Sequence, residues 1–213
     1  MKKISLTFLL LYVCILVLAN SVIKNDNDQK ESLPFLGEFS IDKTTGDTLY
    51  FKAPKFNLIN QAGQRVTDKR FQGKIQVIDF FFTSCPTICP VMTNHLKMVQ
   101  DHFWEVDELA IISYSIDATN DTPKELRSYA DFHGLDTEKW SLLTGDSERI
   151  FEHAKGHKVR AFDDSIADGL NLIHDGTFVL LDENRHVRGY YDGLSKKDTQ
   201  RLIKDINILL KAL

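Results

Sequence analysis

"KIQVIDFFFTSCPTICPVMTNHLKMVQDHFW", residues 74–104, joins the two patterns that decide the fold. Residues 74–82 are apolar and rich in β-branched and aromatic types, the composition of a strand buried on both faces. After Pro90, the apolar residues Val91, Leu96, Met98, Val99 and Phe103 fall near helical spacing. Between strand and helix lie Cys85 and Cys89, each followed directly by proline. Open α/β sheets place their sites between a strand end and a helix start. A nearby helix N-terminus also favours a thiolate over a thiol. Pro90 has no N–H and biases Cys89 away from the helical region, so the sequence predicts a stiff "CPTIC" loop with a helix starting near Pro90. The pair can serve as a redox dithiol, as a clamp for a soft metal such as Cu(I) or zinc, or as a structural disulfide. A disulfide closing so short a loop removes little unfolded-chain entropy.

Downstream, strand and helix signals alternate. "LAIISYSID" (109–117) reads as a second buried strand, and Thr122, Pro123 and Glu125 make a helix start with a capping box. That helix runs to about His133. "WSLLT" (140–144) is a short strand and "DSERIFEHAKG" a helix stopped by Gly156. "GTFVLLD" and "RHVRGYY" form a strand pair around "EN". Ser195 and Asp198 then open a last helix with Leu202, Ile203, Ile206, Leu209, Leu210 and Leu213 on one face. The order from Lys74 is β, α, β, α, β, α, β, β, α. This predicts an α/β domain, a central mixed sheet flanked by helices, closing in the thioredoxin-like manner. Upstream, "KFNLIN", "QAG" and "QRVT" predict a hairpin around Gly63, and residues 35–51 an N-terminal hairpin or arm turning at Gly46.

The chain has 213 residues, 43% apolar and 26% charged, enough for one domain plus a leader. A net charge of -4 with no Lys/Arg-rich run argues against nucleic-acid binding. Lys2 and Lys3 precede the 14 mostly apolar residues Leu6–Ala19, the signature of an export signal. A membrane span needs ~20 residues. Val17 and Ala19 suit cleavage after Ala19, whereas Ile4, Val22 and Ile23 would lengthen the segment into an uncleaved anchor. Cys14 is an apolar residue of the leader or a lipid-modified one, although Val13 is a poor neighbour for such processing. Every reading places the body outside the cytoplasm, on the periplasmic side and exported or held at the inner membrane, where two thiols can oxidise. The expected organisation is residues 1–19 as signal peptide or membrane anchor, 20–48 as polar tether and arm, and 49–213 as the folded domain.

Two sulfurs leave at least one position for another ligand, and the chain has seven histidines from which to draw it. His95 and His102 share the helix after the cysteines, where a solvated or half-buried face explains them. His133, His153 and His157 sit at or beside predicted helix ends, where a cation complements the dipole. His186 falls in a turn and is expected to be exposed. His174, in "LNLIHDGTFVLLD", ends a long loop just before a core strand, and a thioredoxin-like topology brings that loop beside the cysteine loop.

"VIDFFFTSCPTICPVM", "SIDATNDTPKELRSYA", "WSLLTGD" and "LIHDGTFVLLDENRHVRGYYDG" together resemble the Sco/SenC family, over roughly residues 50–213. These are thioredoxin-like copper proteins that assist cytochrome c oxidase assembly. The resemblance implies one copper ion, Cu(I) or Cu(II), bound by Cys85, Cys89 and His174. It also implies delivery to the binuclear copper centre of the oxidase, with the copper-bearing oxidase subunit, other copper chaperones or thiol–disulfide reductases as partners. Two departures stand out. Ala118 replaces a frequent proline, and Ile173 replaces an acidic residue that often precedes the histidine, while Asp175 follows it. An extracytoplasmic thiol–disulfide oxidoreductase using Cys85 and Cys89 is the alternative. Against it as the sole role stand the three-residue spacing and the absence of any proline after Pro123. A peroxidase would need a threonine and an arginine beside its cysteine, and only Thr83 is near in sequence.

Overall fold

Two hairpins precede the cysteine stretch. Strands β1 (Phe39–Ile41) and β2 (Thr48–Tyr50) pair antiparallel and turn through Gly46, whose φ of +78° suits glycine. All six residues are exposed, so this is an extension rather than part of the core. β3 (Asn57–Asn60) and β4 (Arg65–Thr67) form the second hairpin around Gly63, followed by a 3-10 turn, Asp68–Phe71. The expected alternation follows: β5 (Ile75–Phe81), α1 (Cys89–His102), β6 (Leu109–Ser115), α2 (Pro123–His133), β7 (Trp140–Thr144) and α3 (Ser147–Gly156). A short pair, β8 (Ala161–Asp163) with β9 (Leu172–His174), comes next. The hairpin β10 (Thr177–Leu181) and β11 (Val187–Asp192) and the helix α4 (Lys196–Leu210) close the chain. This is a computed structural model, and it describes residues 31–163 and 172–213. The predicted leader, residues 1–19, and the tether up to residue 30 lie outside the described residues. Among the described residues no helix is long and apolar enough to cross a membrane.

Seven strands form one mixed sheet in the order β11-β10-β5-β6-β7-β3-β4. β5, β6 and β7 run parallel, and the strands on either side are antiparallel. The parallel units β5–α1–β6 and β6–α2–β7 step the same way across the sheet, so right-handed crossovers put α1 and α2 on one face. Leu96, Leu126 and Leu202, from α1, α2 and α4, pack with Val77, Phe81 and Ile111. Ile150 and Ala154, from α3, pack on the opposite face with Ile78, Phe80 and Ile112. Every residue of β5 and β6 is buried, polar Gln76, Asp79, Ser113 and Ser115 included, as expected of strands covered on both faces.

Thr122 and Ser195 cap α2 and α4 by accepting from the N–H groups of Glu125 and Asp198. Three local expectations are corrected. Gly156 does not end α3 by turning left-handed: it is the last helical residue, and Lys158 takes the positive φ of 60°. A Cβ on Gly156 would lie 2.5 Å from Pro54 Cγ, so glycine there permits close packing. Leu213 is exposed beyond the end of α4 rather than on its apolar face. His186 is not exposed: it bonds Asp182 and stands edge-on to Phe35.

Candidate metal centre

Helix α1 starts at Cys89, one residue earlier than predicted, with Ile88 as N-cap and Pro90 in the first turn. The first four amides of a helix have no intrahelical acceptor, so the N–H missing from Pro90 costs nothing. The bias that proline exerts on its neighbour therefore does not exclude Cys89 from the helix. The Cys89 thiol sits at the positive end of α1, and Cys85 stands on the loop before it.

The cysteine loop is anchored by Asp121, which the sequence reading did not single out. Its carboxylate accepts from the Thr83 N–H (3.0 Å), the Thr83 hydroxyl (2.5 Å) and the Ser115 hydroxyl (2.5 Å). One side chain thus joins the end of β6 to the loop two residues before Cys85. The signal for it was "NDTP" in the resemblance, which looked like a helix cap alone. Because Thr83 turns its hydroxyl to Asp121, the feature that favoured a peroxidase is absorbed structurally.

His174 reaches the site from β9, in register with Ala161 of β8. Gly176, at φ +72°, lets the chain turn from β9 into β10 against Met92, Ile88 and Leu194. The fold brings Cys85, Cys89 and His174 together: their ligand atoms lie within 4.8 Å of one another, and all three residues are buried. Cys89 Sγ and His174 Nε2 are 3.3 Å apart. Neither cysteine forms a disulfide.

The protonation of the three groups differs. Partial burial alone would raise the Cys85 thiol. The N–H groups of Cys89 and Thr87, with the Cys89 thiol and Thr87 hydroxyl, outweigh that and lower its pKa. Burial pushes Cys89 well above the ordinary thiol range, and the charges of Cys85 and Asp79 act in the same direction. Burial holds His174 neutral, its pKa pushed down to about 4 against a weaker opposing pull from Asp175. The centre therefore offers one thiol that ionises more readily than an ordinary one, one thiol that ionises only when a cation replaces its proton, and one neutral imidazole.

Asp175 does not orient His174. Its carboxylate accepts from the N–H groups of Arg160 and Thr177, both at 3.1 Å, and His174 Nδ1 is buried without a partner among the described residues. The other histidines stay away from the cysteines. His95 bonds the Gly193 carbonyl at 2.7 Å, and His133 packs on Tyr129. His153 and His157 are not cations at a helix end. They are buried, and burial lowers both, to about 2 and about 4.

Asp79 is a further buried group near the centre. It accepts from the Ser113 hydroxyl, which in turn accepts from Trp140 Nε1 at 2.8 Å. Burial pushes its carboxyl up to about 7.

The SCO1/SenC family profile matches residues 44–211. A SCO1/SenC family lipoprotein from Bacillus anthracis is 29% identical and superposes with a TM-score of 0.69, over 80% of this chain and 99% of that one. BsSco, described as a member of the Sco family of cytochrome c oxidase assembly proteins with a disulfide switch, is 31% identical with a TM-score of 0.62, over 73% of this chain and 93% of that one. Arabidopsis thaliana ScoI with copper bound is 25% identical with a TM-score of 0.61, over 73% of this chain and 98% of that one. With a profile match over residues 44–211, well over half of its length, the chain belongs to the SCO1/SenC family.

Proposed function

We propose that this protein carries one copper ion between the Cys85 and Cys89 thiolates and His174 Nε2, and delivers it to, or matures, the binuclear copper centre of cytochrome c oxidase. The observation that carries the reading is the buried set of two sulfurs and one imidazole nitrogen within 4.8 Å. Soft thiolates select Cu(I), while the imidazole also suits Cu(II). Three donors leave the ion open to an incoming ligand from a partner. Copper in the ScoI relative and oxidase assembly in the description of BsSco support the same reading. In this proposal residues 1–19 serve as export signal or membrane anchor, residues 20–48 as tether and arm, and residues 49–213 as the copper-binding domain. The domain then works on the periplasmic side of the membrane, beside the copper-bearing oxidase subunit. The Bacillus anthracis relative, described as a lipoprotein, supports a membrane-held form.

Loading requires the Cys89 proton to leave. The arriving ion displaces it, and neutral His174 Nε2, 3.3 Å from the sulfur, keeps its lone pair for the same ion. Asp121 keeps the loop, and so the spacing of the sulfurs, fixed. Anaerobic Cu(I) titration of the reduced chain tests the proposal. One copper per chain is expected, with clearly weaker binding in His174→Ala. Equal affinity in that variant would remove His174 from the site.

A second reading rests on the lowered pKa of Cys85. Its thiolate can attack a partner disulfide, releasing one partner thiolate and forming a mixed disulfide. Cys89 then displaces the second partner sulfur, leaving a Cys85–Cys89 disulfide and a reduced partner. The oxidised form has no thiolate to offer copper, so the two activities exclude each other at any instant. Disulfide reduction by metal-free protein that persists in His174→Ala would favour this role.

A further inference from the structure

On the α3 face of the sheet lies a polar cluster that the copper chemistry does not use. His153 lies in the last turn of α3, His157 is the residue that caps it four positions on, and Tyr114 rises from β6. His153 is 6% exposed, and His157 and Tyr114 are fully buried. The His153 and His157 ring centroids are 4.5 Å apart, and Tyr114 lies 4.6 Å from His153 and 6.4 Å from His157. Phe56 and Phe80 pack around them.

His157 Nδ1 lies 2.8 Å from the His153 carbonyl. A carbonyl only accepts, so Nδ1 carries the proton and Nε2 presents a bare lone pair. That Nε2, the Nε2 of His153 and the Tyr114 hydroxyl are all buried without a hydrogen-bond partner among the described residues. Each such atom costs about 1–3 kcal/mol, and native structures rarely collect three in one place. His153 also lines a cavity of about 590 Å³ walled by Phe56, Lys55, Arg149 and Glu152, which gives a small ligand room to approach.

The His157 N–H still bonds the His153 carbonyl at 3.1 Å, so the pair keeps the helical i, i+4 spacing by which two histidines meet one zinc ion. Two imidazoles bound to one ion at about 2.0 Å and at roughly 90–110° have centroids about 4.5–5 Å apart. The observed 4.5 Å falls in that range. We propose that His153 and His157 form a second metal site, for a divalent ion such as Zn²⁺ or Cu²⁺, with the Tyr114 hydroxyl as its third polar group. Imidazoles suit divalent ions and thiolates suit Cu(I), so the two centres differ in cargo.

The test uses the full chain with Cys14→Ser, Cys85→Ser and Cys89→Ser, which dismantles the thiolate centre and makes the outcome independent of it. Zn²⁺ is titrated against a chromophoric chelator while long-range ¹H–¹⁵N spectra follow each imidazole. One zinc per chain is expected, with the His153 and His157 Nε2 signals moving together. His153→Gln or His157→Gln should weaken uptake at least about tenfold. No uptake, movement of other histidines only, or unchanged affinity in both variants would overturn the proposal. If a variant fails to fold, the spectra of the chain with both histidines intact decide alone.

Discussion

His174 and His157 are both buried, both held neutral with pKa values pushed down to about 4, and both keep one ring nitrogen unpartnered among the described residues. Their neighbours differ. His174 faces a cysteine sulfur at 3.3 Å, beside a loop fixed by Asp121. His157 faces a second imidazole and a phenol on the face covered by α3. Burial alone makes an imidazole available as a ligand, and the atoms around it decide for which ion.

The largest effect that would break this contrast is on Cu(I) affinity. Cys85→Ser or Cys89→Ser should lower it at least about a thousandfold, beyond the 10–100-fold typical of changes outside the ligand set. His157→Gln should leave it within about twofold. Competition with a Cu(I) chelator measures both, and a large loss in His157→Gln would merge the two regions.

The next effect is on the pH dependence of stability in the metal-free protein. Burial lowers His157 from 6.5 to about 4. Its contribution is present above pH 6.5 and lost as pH falls towards 4, amounting to about 3 kcal/mol. His153 and His174 act in the same direction. Asp79 acts oppositely, because its carboxyl is raised from 3.8 to about 7. Its contribution is present below pH 3.8 and lost as pH rises to 7. Asp79→Asn should therefore stabilise the fold at pH 8 by about 4 kcal/mol and steepen the loss on acidification. Denaturant unfolding at pH 4.5, 6 and 8 gives both slopes, and an unchanged slope would contradict the assignment.

Smaller effects probe the supports of each region. Asp121→Ala removes the acceptor of three donors and should cost about 1–3 kcal/mol, with roughly a tenfold loss of copper affinity. Gly156→Ala presses on Pro54 beside α3 and should cost about 1–2 kcal/mol, leaving copper affinity untouched. Thermal unfolding with parallel copper titration separates the two.

The sheet was legible because β5 and β6 are mostly apolar runs rich in isoleucine and aromatic residues and because Thr122 and Ser195 mark helix starts directly. Cys85 and Cys89 were legible from their place between strand and helix. His174 was harder, since only topology brings residue 174 to residue 89, and the resemblance supplied what periodicity could not. Asp121 escaped because its three hydrogen bonds join elements distant in sequence. His153 and His157 were misread because their spacing fits both an exposed cation near a helix end and a buried neutral pair. Only the packing of Phe56, Phe80 and Tyr114 around them separates the two.

X-ray absorption at the copper edge of the anaerobically loaded full chain reads the ligands around the ion themselves. Two sulfur scatterers and one imidazole nitrogen per copper are expected in the wild type, with loss of the imidazole signal in His174→Ala. A copper with no sulfur neighbour, or one whose surroundings are the same in both proteins, would contradict the proposed site.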